Sequence, residues 1–171
     1  GQLTLVFSPL LALQEDQVSA LKKKGVRAAL LNSSLSKHRH AATLRDFVQN
    51  GGLLYLAPEQ LRREDVRTAL STAWVRRVVV DEVHILPQVD RGFRPAYAEI
   101  SAFIKPLRIP PQILAFTATA TASDFSYIAR SLHMDEPKRF LFSVKRPNIR
   151  ISVKKFDVRG KDNVKRRKRM Q

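Results

Sequence analysis

Short aliphatic and β-branched runs alternate along the chain with longer stretches in which apolar residues recur every three or four positions. Runs of the first kind mark strands buried on both faces, and stretches of the second kind mark helices with one apolar side. Their alternation predicts βαβ units, hence an α/β fold with a mostly parallel sheet flanked by helices. Strands are predicted at Leu3–Ser8, Val26–Leu31, Leu53–Leu56, Val75–Asp81, Ile113–Thr117, Phe140–Ser143 and Ile149–Phe156. Pro9 suits a first helical turn, and Leu10, Leu13, Val18 and Leu21 keep roughly the helical period until Gly25 ends the helix. Ser36 is placed to cap a second helix that runs to Gln49 and stops at Asn50-Gly51-Gly52. Three more are predicted at Glu64–Leu70, Pro95–Ile104 and Ser123–Leu132, with Pro106, Pro110 and Pro111 marking a connector. Trp74 and the phenylalanines of the strands are assigned to the core. Without repeats or an internal linker, the expected organisation is one domain over residues 1–157 followed by a basic tail, 158–171.

Composition narrows the class. The 171 residues leave room for one sizeable core. The absence of cysteine excludes disulfides, iron–sulfur clusters and thiolate zinc sites, and makes a reducing compartment the default. No apolar run approaches the roughly 20 residues of a membrane helix, and Gly1-Gln2-Leu3-Thr4 lacks the basic start of a signal peptide. The expectation is a soluble protein with no membrane partner, in the bacterial cytoplasm or, in a eukaryote, the nucleus. Thirty-one Lys and Arg against 15 Asp and Glu give a formal charge of +16. An excess of that size points to a polyanion, with nucleic acid the first candidate, because neutralising phosphates releases counterions. The tail carries +6 of the excess and the body +10.

The strongest candidate for chemistry is Val78-Val79-Val80-Asp81-Glu82-Val83-His84. An apolar strand ending in adjacent carboxylates sets acid groups at the carboxyl edge of a parallel sheet, where open α/β folds bind ligands. One carboxylate can there hold a magnesium ion while its neighbour orients and deprotonates a water; the plain alternative is that the pair begins a turn. His38 and His40, two apart on a helix, face different ways and make a poor metal pair.

Asp81-Glu82-Val83-His84 resembles the DExH Walker B box of superfamily two helicases, and further segments narrow the resemblance to the RecQ family of ATP-dependent DNA helicases. The stretch Val6-Phe7-Ser8-Pro9-Leu10-Leu11-Ala12-Leu13-Gln14-Glu15-Asp16-Gln17-Val18 resembles that family's motif Ia. Leu54-Tyr55-Leu56-Ala57-Pro58-Glu59 resembles motif Ib, and Ala115-Phe116-Thr117-Ala118-Thr119-Ala120-Thr121 resembles motif III. Arg146-Pro147-Asn148-Ile149 is similar to the strand closing the first motor domain. These segments come in the family's order and span Val6 to Arg150.

The resemblance implies a RecA-like, three-layer motor domain that uses ATP and Mg2+ and acts on single-stranded or partly duplex DNA. It implies that Asp81 holds the magnesium of Mg-ATP, that Glu82 is the general base, and that Thr117 belongs to the nucleotide site. His84 would link that site to motif III and to the aromatic-rich loop. Ser8, Pro9, Pro58, Glu59, Gln88, Phe93, Arg94 and Thr119 are the residues it assigns to DNA contact and coupling. The loop usually reads QWGxDFRPxY; here Gln88-Val89-Asp90-Arg91-Gly92-Phe93-Arg94-Pro95-Ala96-Tyr97 has valine for the tryptophan, which supplies the largest stacking surface for a base. That departure points to a divergent branch. No G-x-x-x-x-G-K-S/T occurs in the chain, whose only Gly-Lys is Gly160-Lys161. The expectation is therefore a fragment lacking its upstream phosphate-binding loop and its second motor domain, inactive by itself. A non-catalytic DNA- or protein-binding homologue and a DEAH-type RNA helicase are the alternatives.

Overall fold

The computed structural model describes residues 1–91, 95–142, 146–150 and 152–154. Five strands form its sheet: β1 Leu3–Phe7, β2 Ala28–Leu31, β3 Gly52–Leu56, β4 Val75–Val80 and β5 Gln112–Ala115. All pair in parallel, in the order β2-β3-β1-β4-β5. The registers join Leu31, Leu56, Phe7, Val80 and Ala115 into one row. The residues that follow them, Asn32, Ala57, Ser8, Asp81 and Phe116, therefore all leave the sheet at its carboxyl edge. From β1 the chain crosses towards β2 and from β4 towards β5, so the strand order reverses between β1 and β4. That reversal opens a crevice of the kind in which α/β sheets take ligands.

Four helices connect the strands, α1 Leu11–Lys23, α2 Lys37–Asn50, α3 Glu64–Thr72 and α4 Tyr97–Ile104, and a fifth, α5 Ala122–Ser131, follows β5. The Ser36 hydroxyl caps α2, accepting from the Arg39 N–H at 3.4 Å. At its other end Gly51 adopts φ +75°, and a Cβ there would stand 2.5 Å from the Gln2 carbonyl oxygen, so only glycine fits. A capping box between Thr121 and Asp124 starts α5. Two 3-10 segments, Pro58–Arg62 and Val83–Arg91, follow β3 and β4 and were not expected from the sequence.

The two-residue period of the strands splits the core. Leu3, Leu5 and Phe7 face the larger cluster with Leu54, Leu56, Val78, Val80, Leu70, Tyr97 and Ile100. Val6 and Tyr55 face the other side, where Val18 of α1 and Ala28 complete a smaller one.

Several expectations are corrected. Of the apolar positions expected on α1, Leu10 and Leu13 are 50% and 38% exposed while Val18 is buried, and Gln14 is buried with it. Trp74 is 53% exposed: its carbonyl accepts the Leu3 N–H at 3.0 Å, but its ring lies outside the core beside Leu107 and Ile109. Phe116, just past β5, is 54% exposed. By packing, Gly1–Arg139 and Phe140–Gln171 form two units. In the second unit, Phe140–Phe142 and the described part of residues 149–156 are not strands, because no described segment offers them a ladder. Arg146-Pro147-Asn148-Ile149 forms a turn closed by the Ile149 N–H on the Arg146 carbonyl at 3.0 Å. Ser143, Ile151, Lys155, Phe156 and the tail lie outside the described residues.

On the surface, Asp46 joins α2 to the segment before β2: it accepts from Asn50 at 2.8 Å and from Arg27 at 2.5 Å. The Asn50 hydrogen bond first, and that of Arg27 second, lower its pKa below the ordinary 3.8. A depressed carboxyl pKa stabilises the fold above the unfolded value, and this contribution disappears as the pH falls through the lower folded value. Asp46→Asn is accordingly expected to be slightly less stable than wild type at pH 7 and to lose that deficit at a pH low enough to protonate Asp46 in the folded state. Chemical denaturation at the two pH values checks this.

Candidate active site

Beyond the last hydrogen-bonded row of the sheet, Asp81 is held at four atoms. Its N–H donates to the Phe7 carbonyl at 2.8 Å, and its own carbonyl accepts from the Tyr97 hydroxyl at 3.0 Å. Its carboxylate accepts from the Ser8 hydroxyl at 3.2 Å on Oδ2 and from the Glu82 N–H at 2.9 Å on Oδ1. Tyr97 and Ser8 are fully buried, so these clamps are shielded from water. Burial first, and the negative charge of Asp81 second, push the phenol of neighbouring Tyr55 above its ordinary 10.0.

Glu82 has φ +49°, a left-handed backbone that costs a non-glycine residue about 1–2 kcal/mol. The surroundings impose it. The Asp81 carboxylate takes its N–H, its carbonyl accepts the Ile85 N–H at 3.0 Å, and the next N–H, of Val83, donates to the Phe116 carbonyl at 3.0 Å. Phe116 in turn donates to the Val80 carbonyl at 2.9 Å, so β5 and the segment after β4 are stitched together on both sides of the acid pair.

The His84 ring connects the two motifs. Its Nδ1 lies 3.1 Å from Glu82 Oε2 and 3.0 Å from the Thr117 hydroxyl, while Thr117 also exchanges hydrogen bonds with the Thr119 backbone at 3.1 Å. A tautomer with the proton on Nδ1 serves both acceptors, with the Thr117 hydroxyl hydrogen on the Thr119 carbonyl. Gln88 donates to the His84 carbonyl at 3.3 Å. His84, Gln88, Pro87, Thr119, Thr121 and Asp124 line a cavity of about 560 Å³ beside the acid pair.

The structure thus gathers Ser8, Asp81, Glu82, His84, Thr117, Thr119 and Gln88 at one edge. Pro9 and the exposed Glu59 stand at the same edge after β1 and β3, whereas Pro58 is buried at the start of its 3-10 turn. Phe93 and Arg94 lie outside the described residues. Sequence reasoning assigned no role to Gln14 or Tyr97. Gln14 is 1% exposed and donates from Nε2 to the Ser8 carbonyl at 2.5 Å. His38 is exposed and His40 buried against Gln60 at 3.1 Å. Among the described residues no three His, Asp or Glu side chains gather around a point that could hold a metal.

Known proteins resemble this chain in sequence and in fold. The family described as DEAD/DEAH box helicase matches residues 1–126. The chain is 38% identical over 152 residues to the probable ATP-dependent DNA helicase RecS of Bacillus subtilis (strain 168), covering 88% of this chain and 30% of that protein. It is 39% identical over 160 residues to the ATP-dependent DNA helicase RecQ of Synechocystis, covering 89% of this chain and 33% of that protein. The chain thus spans a third or less of these curated relatives. Among solved structures, the helicase domain of Pyrococcus furiosus Hef aligns with a TM-score of 0.60 at 15% identity, over 80% of this chain and 28% of that one. The DUF1998 helicase MrfA bound to DNA aligns equally well, at 15% identity over 77% of this chain and 20% of that one. At such identities the likeness is one of fold.

Proposed function

The chain belongs to the DEAD/DEAH box helicase family, and from that premise we propose that it is part of the first motor domain of a RecQ-like, ATP-dependent DNA helicase. The carrying observation is the acid pair Asp81-Glu82 at the strand-order reversal, fixed from both flanking strands and linked through His84 to Thr117. In this reading the full protein couples hydrolysis of Mg-ATP to movement along single-stranded DNA, with a second motor domain closing on the site.

The donor set suits magnesium. That ion is bound through one or two carboxylates, keeping water and phosphate oxygens for its other positions, and Asp81 offers a single half-buried carboxylate with lone pairs to spare. The bound ion neutralises phosphate charge. The chain's own part is to hold Asp81 still, to aim Glu82 at a water, and to receive that water's proton on the Glu82 carboxylate. His84, shared between Glu82 and Thr117, lets the position of the β5 loop decide whether Glu82 is available. Of the residues assigned to DNA at this edge, the exposed Thr119 carries a hydroxyl suited to a sugar–phosphate backbone read without regard to sequence, whereas Pro9 has no N–H to donate and the Glu59 carboxylate would repel phosphate.

The charge of +16 gives this reading a test that needs only the present chain. Its affinity for a single-stranded oligonucleotide is expected to fall steeply with salt, with a logarithmic slope of about −0.7 per phosphate contacted. An affinity insensitive to salt contradicts phosphate-dominated binding. In competition, an RNA strand that displaces the probe better than DNA of equal length would favour the RNA-helicase reading.

A further inference from the structure

Resting on that reading, we propose that Ser8 is a positioning residue for Asp81 on the nucleotide side of the sheet, with Gln14 as its support, and is not a contact to the DNA backbone. Ser8 follows β1 at the carboxyl edge, where a loop hydroxyl would ordinarily meet phosphate. Its side chain cannot do so: the residue is 0% exposed and its hydroxyl points inward to Asp81 Oδ2 at 3.2 Å. The bond spans the crevice between β1 and β4, at the one place where the strand order reverses. It is also the only one of the two bonds on the Asp81 carboxylate that comes from outside its own segment, since Oδ1 is taken by the adjacent Glu82 N–H.

Gln14 holds the other end. From the first turns of α1 it reaches back to the Ser8 carbonyl, and it is itself 1% exposed, with Oε1 lacking a partner. Buried in this way, the Gln14 side chain is held by the bond that its Nε2 makes to the Ser8 carbonyl. The sequence of contacts runs from α1 through Gln14 and Ser8 to the carboxylate, with Phe7 holding the main chain of Asp81 in parallel. Pro9 and the exposed start of α1, Leu10 and Leu11, are the next residues of the same loop. A strand pressing on them displaces Ser8, and with it the Asp81 carboxylate that orients both the ion and, through Oδ1, the Glu82 backbone. Ser8 thereby carries the loop's position to the acid pair.

The test uses the full-length protein, with Ser8→Ala and Gln14→Met compared with wild type. Three quantities are measured: kcat for ATP at saturating single-stranded DNA, DNA affinity, and the factor by which Mg2+ tightens binding of a fluorescent ATP analogue. Ser8→Ala is expected to lower kcat about tenfold, the scale of one lost hydrogen bond to a charged group. It should reduce the Mg2+ factor and leave DNA affinity within about twofold, and Gln14→Met should do the same more weakly. Weakened DNA binding with normal kcat at saturation would make Ser8 a phosphate contact and overturn the proposal. So would an unchanged kcat and Mg2+ factor. A wild-type protein that hydrolyses no ATP would instead overturn the helicase reading itself, and this inference with it.

Discussion

Replacing Glu82 with glutamine is expected to reduce DNA-stimulated ATP turnover of the full-length protein by at least about a hundredfold, within the range that general base catalysis contributes. The substitution keeps the side chain's length and the oxygen that faces His84 Nδ1 at 3.1 Å, and it leaves the left-handed backbone at φ +49° under the same external restraints. What it removes is the carboxylate's capacity to take a proton. Binding of ATP and of single-stranded DNA should therefore stay within a few-fold of wild type while turnover collapses. An unchanged rate would defeat the enzymatic assignment, and a loss of nucleotide binding equal to the loss of rate would make Glu82 a binding group instead.

The second large effect concerns stability. Phe7→Ala is expected to cost about 3–5 kcal/mol, because it removes a large side chain from a site that cannot collapse easily. Phe7 is 0% exposed in the larger cluster, lies in register with Leu56 and Val80 on its two neighbouring strands, and precedes Ser8 directly. Domains of this kind are stable by about 5–15 kcal/mol, so a large share of the margin is at stake. Denaturant unfolding should show a lower midpoint at an unchanged slope. The comparison is Phe140→Ala, at a residue 77% exposed, which should shift the midpoint little. Equal effects would contradict the burial described for the two residues.

The parallel sheet was legible because strands buried on both faces must be apolar throughout, as Val78-Val79-Val80 and Leu3-Thr4-Leu5-Val6-Phe7 nearly are. The acid pair was legible for a related reason, since two carboxylates directly after such a strand can only sit at its carboxyl end. Apolar runs alone misled where a partner was required. Phe140-Leu141-Phe142 has a strand's composition, yet pattern does not supply a neighbour to pair with. Trp74 was placed inside on hydrophobicity alone, although it sits in the short connection between α3 and β4, where the backbone rather than the ring is engaged.

The contacts that organise the site were beyond a linear reading. His84 and Thr117 are 33 residues apart, and Ser8 and Asp81 are 73 apart; only the strand registers bring them together. The left-handed backbone of Glu82 carries no sequence mark, because it is imposed by Asp81, Ile85 and Phe116 and not by a glycine. Ser8 illustrates the same limit from the other side. A small hydroxyl in a loop beside a proline reads as exposed, whereas Ser8 is fully buried, its hydroxyl on Asp81 and its carbonyl on Gln14, six residues further on.

Most directly tested is the claim that the β4 edge is where nucleotide is hydrolysed. A crystal structure of the full-length protein with Mg2+ and a non-hydrolysable ATP analogue should place the ion against the Asp81 carboxylate, at about 2.1 Å or through one water. In that structure the terminal phosphate should lie within one water molecule of Glu82. A nucleotide bound away from the β4 edge, with neither Asp81 nor Glu82 near its phosphates, would contradict the assignment.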